Sequence, residues 1–254
     1  MPPARRTPAT KKRPPTRTPA ARPGAVSRRT LWLALAGAAV VAAALIGGSL
    51  LLRGGDDDSS GAVPTVGDTA LVDGIPQQGT TLGSPDAKVT LIQWEDFQCP
   101  ACEAYQQGAF PGIVEEYVRP GKVKIEFKGL QFLGEDSDQA LRAALAAARQ
   151  GKFWQMEKLL YDAQGEENSG WVTDELIREL ATTLELDVAK LEADMASAAV
   201  TEQIEAADGE GEALQVAGTP TFFVSIDGGE PYQVQPEAFT VEAFRPILDD
   251  ALQG

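Results

Sequence analysis

The chain has 254 residues, with 37 acids against 22 bases, a formal charge of −15 and no histidine. Its length allows one ordinary domain with extensions, or two small domains. The acidic balance argues against nucleic acid and towards basic partners, and the missing imidazole deprives zinc of one of its usual ligands.

The charge is unevenly placed. Nine Lys/Arg and no acid fall in the first 29 residues, whereas all 37 acids lie beyond residue 55 with only 12 bases, a formal charge of −25 there. Residues 1–30, rich in Pro, Arg, Thr and Ala, cannot bury a core. They are predicted to form a disordered basic tail in the cytoplasm, attracted to anionic lipid.

Residues 31–52, "LWLALAGAAVVAAALIGGSLLL", carry no charge. At about 1.5 Å per residue they would make a helix roughly 33 Å long, enough to cross a hydrocarbon core of about 30 Å. No A-x-A site follows, so a retained signal anchor is expected rather than a cleaved signal peptide. The positive-inside rule then puts the N-terminus in the cytoplasm and the rest outside, where disulfides persist. Residues 53–70 read as a flexible linker with an extended reach of roughly 60 Å.

A folded domain is predicted over residues 71–254. "KVTLIQW" (88–94) is an apolar run expected of a strand buried on both faces. "KVKIEF" (122–127) alternates, with Val123, Ile125 and Phe127 on one face, as in a half-exposed strand. A helical block follows, over about 136–217. It contains "SDQALRAALAAARQ" ended by Gly151, then "DELIRELATTL" with Leu176, Ile177, Leu180 and Leu184 on one stripe. "DVAKLEADMASA" comes next, behind an Asp187 cap. "TFFVSI" returns to strand after "GTP" (218–220), and "YQV" is expected to pair with it. A last helix is predicted over about 241–252, with Phe244, Leu248 and Leu252 inward and Pro246 distorting its first turns.

The only two cysteines, Cys99 and Cys102, sit three apart just after the first strand, in "EDFQCPACEAY". A crosslink between them would close almost no loop and so stabilise little. Two thiolates without histidine make a poor zinc shell, and no metal site is expected. Redox exchange needs only this spacing. Pro100 suits the first position of a helix, and the unpaired N–H groups and dipole of a helix start favour a Cys99 thiolate. Cys102, one turn on, can attack a mixed disulfide at Cys99.

The stretches "GIPQQGTTLGSPDAKVTLIQWEDFQCPACEAY", "GKFWQMEKLLY" and "GTPTFFV" resemble the DsbA-like branch of the thioredoxin superfamily, over about residue 71 to the C-terminus. The resemblance implies an α/β thioredoxin fold with an inserted helical domain. It also implies a cis bond between Thr219 and Pro220, a loop facing the cysteines, and substrate pairing with the Thr219 backbone. Three departures stand out. Strong oxidases of the family carry His between the cysteines, where this chain has Ala101, so a less oxidising disulfide is expected. Many relatives have a buried acid six residues before the first cysteine. Here Gln93 stands there, with Glu95 and Asp96 as possible substitutes, each also readable as a turn or helix-end acid. An acid this close would raise the Cys99 pKa. Finally, Phe97, Phe132, Trp154 and Trp171 are candidates for an apolar client groove, or simply for the core.

The expected function is therefore a membrane-tethered thiol–disulfide oxidoreductase, oxidising thiols of exported proteins. A membrane redox partner would regenerate it, and it would use no cofactor beyond a Cys99–Cys102 disulfide. A reductase or isomerase kept reduced by a membrane donor is the alternative within the same chemistry, since spacing does not encode potential. A non-catalytic redox-sensing or partner-binding module is the alternative of another class.

Overall fold

A computed structural model describes residues 66–254. The expected basic tail, membrane span and most of the linker lie outside these residues. Among the described residues no helix is long and apolar enough to cross a membrane. The domain begins slightly before Leu71, with a 3-10 turn over Val66–Val72 that buries Thr69 and Val72.

Six strands form one sheet: β1 (Gln77–Gln78), β2 (Thr81–Leu82), β3 (Val89–Glu95), β4 (Val123–Gly129), β5 (Thr221–Ile226) and β6 (Tyr232–Val234), in the order β1-β2-β4-β3-β5-β6. β3 runs parallel to β4 and antiparallel to β5, so Leu91 lies opposite Ile125 on one side and Val224 on the other. All seven residues of β3 are buried, the outcome expected of an apolar run in a central strand. β4 alternates buried and half-buried, as its sequence predicts. β6 pairs with β5 through Tyr232 opposite Val224.

Helices cover both faces. β3 leads through a short turn into α1 (Pro100–Ile113). The insertion between β4 and β5 consists of α2 (Glu135–Ala148), α3 (Phe153–Asp162), α4 (Asp174–Thr183), α5 (Val188–Met195) and α6 (Ala198–Ala213), and α7 (Val241–Ala251) closes the chain. Because side chains alternate along a strand, Gln93 and Glu95 point towards α1, where they meet Tyr105 and Gln106. Ile92 and Trp94 face the other way and pack with Leu130, Phe223 and Ala207 of α6.

Small residues permit the close approaches. Buried alanines 140, 143, 144, 146 and 147 bring α2 against its neighbours. On α1, a Cβ at Gly108 would lie 2.3 Å from the Phe239 carbonyl oxygen, and one at Gly112 would lie 2.6 Å from the Val241 Cβ. Asp187 caps α5 as predicted, accepting from the Lys190 N–H at 2.9 Å. Ser197 caps a separate helix, α6, that periodicity alone does not separate from α5.

One detail of the last helix differs from expectation. Leu252 is 38% exposed and Ala251 takes the inward place. Pro246 lies, as expected, within a helix that starts at Val241. It sits on the exposed face, where water can serve the carbonyl that its missing N–H would have bound.

Candidate active site

The turn between β3 and α1 is built by Asp96. Its Oδ1 accepts from the Gln98 N–H at 2.8 Å and from the Ser137 hydroxyl at 2.6 Å, and its Oδ2 accepts from the Leu133 N–H at 3.2 Å. Gln98 adds a second tie, donating to Ser137 at 2.9 Å and accepting from the Asn168 N–H at 2.6 Å. Gln164 of the insertion donates to the Phe97 carbonyl at 2.7 Å. Every one of these bonds holds the cysteine loop in place. Asp96 is thus a structural turn acid, with its lone pairs already engaged.

Cys99 is the N-cap of α1, and Pro100 is the first helical residue. The two sulfurs are unbridged and chemically unequal. Cys99 is 7% exposed and Cys102 is 0% exposed, so only the first can be reached by another protein. The Cys99 pKa is lowered to about 6. The Cys102 thiol contributes most by donating to it, the Thr219 side chain and the Cys102 and Ala101 N–H groups add to this, and burial opposes it. In its protonated form Cys99 instead donates to the Thr219 carbonyl at 3.3 Å. Burial pushes the Cys102 thiol up, and its hydrogen bond to Cys99 and the charges of Glu95 and Cys99 push it the same way. A nucleophilic thiolate beside a buried resolving thiol is the division of labour that disulfide exchange requires.

Against the expectation that a nearby acid would raise the Cys99 pKa, it is lowered on balance, chiefly by the Cys102 thiol; the Glu95 charge raises Cys102, and the Cys99 charge raises Glu95. Gln93 is buried and accepts from the Tyr105 hydroxyl at 3.0 Å. Glu95, two residues on and on the same strand face, is a buried acid, as the family position six before the first cysteine would be. It accepts from the Tyr161 hydroxyl at 2.7 Å and from the Gln106 amide at 3.0 and 3.2 Å. Burial nevertheless pushes it up to about 8.

The Thr219–Pro220 bond is cis, and the loop meets Cys99 through Thr219. Pro220 opens onto a groove of about 220 Å³ lined also by Phe222, Val234 and Phe239. Of the four aromatic groove candidates, Phe97 and Trp154 are core instead. Phe97 packs between Phe127 and Tyr161, and Trp154 stacks on Phe110. Trp171 is half-buried, and only Phe132, 54% exposed, presents itself to solvent.

Sequence reasoning missed Tyr105, Gln106, Glu157 and Tyr161. Gln106 had a usable signal: it lies four residues after Cys102, on the same face of α1. Glu157 and Tyr161 had none, because nothing local says that α3 passes beneath the cysteines.

A thioredoxin fold with two unequal thiols at the start of α1, facing a cis-proline loop, defines a thiol–disulfide oxidoreductase. The Thioredoxin family model (Thioredoxin_4) matches residues 76–250, and the chain belongs to that family, in its DsbA-like branch. It is 30% identical over 155 residues to "Probable disulfide bond formation protein D" of Bacillus anthracis, covering 59% of this chain and 71% of that one. Among solved structures it superposes on BdbD from Bacillus subtilis with a TM-score of 0.62 and 24% identity, covering 72% of this chain and 98% of that one. A thioredoxin-like oxidoreductase from Silicibacter pomeroyi DSS-3 gives a TM-score of 0.55 and 26% identity, over 74% of this chain and 98% of that one.

Proposed function

We propose that the protein oxidises thiols of exported proteins by disulfide exchange through its C-P-A-C pair, outside the cytoplasm and tethered by residues 31–52. The observation that carries this reading is the inequality of the two sulfurs, with Cys99 reachable and favoured as thiolate and Cys102 sealed and favoured as thiol. A client thiolate attacks the Cys99 sulfur of the enzyme disulfide, the Cys99–Cys102 bond breaks, and Cys102 leaves with the electron pair. Glu95 in its neutral form gives Cys102 a proton. A second client thiolate then attacks the client sulfur of the mixed disulfide. The client leaves oxidised, and the enzyme is left as Cys99 thiolate and Cys102 thiol. A membrane redox partner would withdraw the two electrons, and no cofactor is needed beyond the cysteine pair itself. The name of the Bacillus anthracis relative supports the oxidising direction.

One observation favours a reductase or isomerase instead. The Cys99 pKa of about 6 lies nearer to the value of about 7 in thioredoxin than to about 3.5 in DsbA, in keeping with Ala101 between the cysteines. The equilibrium reduction potential of the full-length chain in detergent, poised with glutathione, decides between them. A value of about −120 to −180 mV supports the oxidase, and one of about −270 mV or below overturns it in favour of the reductase.

A further inference from the structure

From Leu191 to Phe244 the chain carries eleven acids and no lysine or arginine. That stretch includes α6 and the loop of Thr219 and Pro220. Between the end of α6 and the loop after β4 lies a groove of about 290 Å³, with Leu130, Phe132 and Val216 as its apolar lining and Asp208 and Glu212 as its acids. It shares no lining residue with the groove beside Pro220.

Each wall continues into one half of the active site. Leu130 donates its N–H to the Glu95 carbonyl at 2.8 Å, and Leu133 donates its own to Asp96 at 3.2 Å, so the 130–133 loop is bound to the turn before Cys99. The opposite wall runs from Val216 to Thr219 in three residues. The two walls are held together by Gly211, where a Cβ would lie 3.2 Å from the Trp94 ring and 3.5 Å from the Leu130 side chain. A client held at Cys99 and Thr219 therefore presents its neighbouring residues to this groove.

The lining suits one long cationic side chain. Phe132, 54% exposed, is the most exposed large apolar side chain among the described residues, and an aromatic face attracts a guanidinium or ammonium group. Leu130 and Val216 can cover an aliphatic stem. Asp208 accepts from the neutral Gln131 amide at 2.8 Å. Neither it nor Glu212 has an ion-pair partner among the described residues, since Lys128 is held by Glu126 and Glu210 at 2.8 and 2.9 Å. α6 ends at Ala213, which adds the negative end of its dipole. We propose that this groove is a specificity subsite for the client, taking an arginine or lysine side chain a few residues from the cysteine that attacks Cys99. The proposal rests on the exchange reading above and narrows its substrates to thiols in basic segments.

The test follows the rate at which thiol peptides reduce the Cys99–Cys102 disulfide of the full-length chain in detergent. Each peptide has one cysteine and one arginine, moved stepwise along either side, and is compared with glutamine at the same place. Each rate is divided by that of the same peptide with oxidised glutathione, because a nearby cation also activates the peptide's own thiol. At its best position arginine should be favoured roughly five- to tenfold, as an exposed cation–π contact and one or two surface ion pairs allow. The ratio should shrink in high salt. Phe132→Ala and Glu212→Gln change exposed side chains outside the core; each should lower the ratio at least about twofold, and together they should bring it near one. Glu230→Gln, on the exposed turn at the far end of β5, should leave it unchanged. Equal rates for arginine and glutamine at every position, a ratio unmoved by the two groove variants, or an equal loss in Glu230→Gln overturns the subsite alone. Failure of every peptide to reduce the disulfide would instead sink the oxidoreductase reading, and the subsite with it.

Discussion

The Cys99 sulfur lies 3.3 Å from the carbonyl oxygen of Thr219, a residue 120 positions further along the chain. One bond thus joins the start of α1 to the loop before β5, and the two expected halves of the site meet. An extended client pairing with the Thr219 backbone would have its own sulfur delivered to Cys99. Below them, burial and the Glu95 charge act on the second thiol.

The asymmetry of the sulfurs predicts unlike phenotypes. Cys99→Ser should abolish insulin reduction and thiol oxidation, by a factor of about a thousand or more. Cys102→Ser should still accept a client and then stall, so that a covalent adduct accumulates on non-reducing gels and disappears with dithiothreitol. Equal loss in both variants with no adduct would contradict the assignment of Cys99 as the attacked sulfur.

Glu95 should impose a slope on stability. Its pKa is raised from 4.5 to about 8 in the folded protein. Its contribution is therefore complete below about pH 4.5 and falls away as pH rises towards 8, because the unfolded chain releases this proton first. Glu95→Gln keeps the neutral shape and removes the titration. Denaturant midpoints of the variant should match wild type at pH 4 and exceed it increasingly between pH 5 and 8. Parallel profiles across that range would refute the buried, raised carboxyl.

Reduced Cys99 should act with the opposite sign. Its pKa falls from 9.0 to about 6 on folding, so the stability it adds is present above pH 9 and is lost as pH drops through 6. Ultraviolet absorbance of the thiolate should titrate near pH 6 in the folded chain and be absent from Cys99→Ser. Ala101→His, which puts a cationic group beside the sulfur, should lower that midpoint by about one unit and raise the reduction potential with it.

Gly108 tests the packing of α1. A methyl group there would meet the Phe239 carbonyl oxygen at 2.3 Å, which backbone cannot yield cheaply. Gly108→Ala should destabilise the domain by about 1–3 kcal/mol, despite the better helix propensity of alanine. Denaturant unfolding of the two proteins checks it, and an increase in stability would mean that the 239–241 segment sits further from α1.

Local pattern made much of this protein legible. The unbroken apolar run of β3, the strict alternation of β4 and the Pro100 helix start each declare themselves within a few residues, because period and cap chemistry are local properties. The spacing of the two cysteines named one side of the site, and the resemblance of "GTPTFFV" to a cis-proline segment of the family implied the other. Phe97 and Trp154 were harder, since an aromatic side chain suits a groove and a core equally, and only their neighbours Phe127, Tyr161 and Phe110 decide. The same held for the acids: Glu95 and Asp96 are adjacent in sequence, yet one is the last residue of β3 facing α1 and the other ties the turn to Ser137 and Leu133.

What the sequence determined by itself was the chemistry available: two thiols three residues apart on a strand-to-helix turn, in a chain without histidine, before a proline loop. The tertiary structure decided how that chemistry is tuned. It brought Thr219 to Cys99, and it laid α3 beneath the cysteines so that Tyr161 and Glu157 meet Glu95 and Gln106 in a dry layer. Desolvation and hydrogen bonding between residues some 60 apart set these proton affinities, and long-range packing, not the local order of residues, determines which groups lose their water.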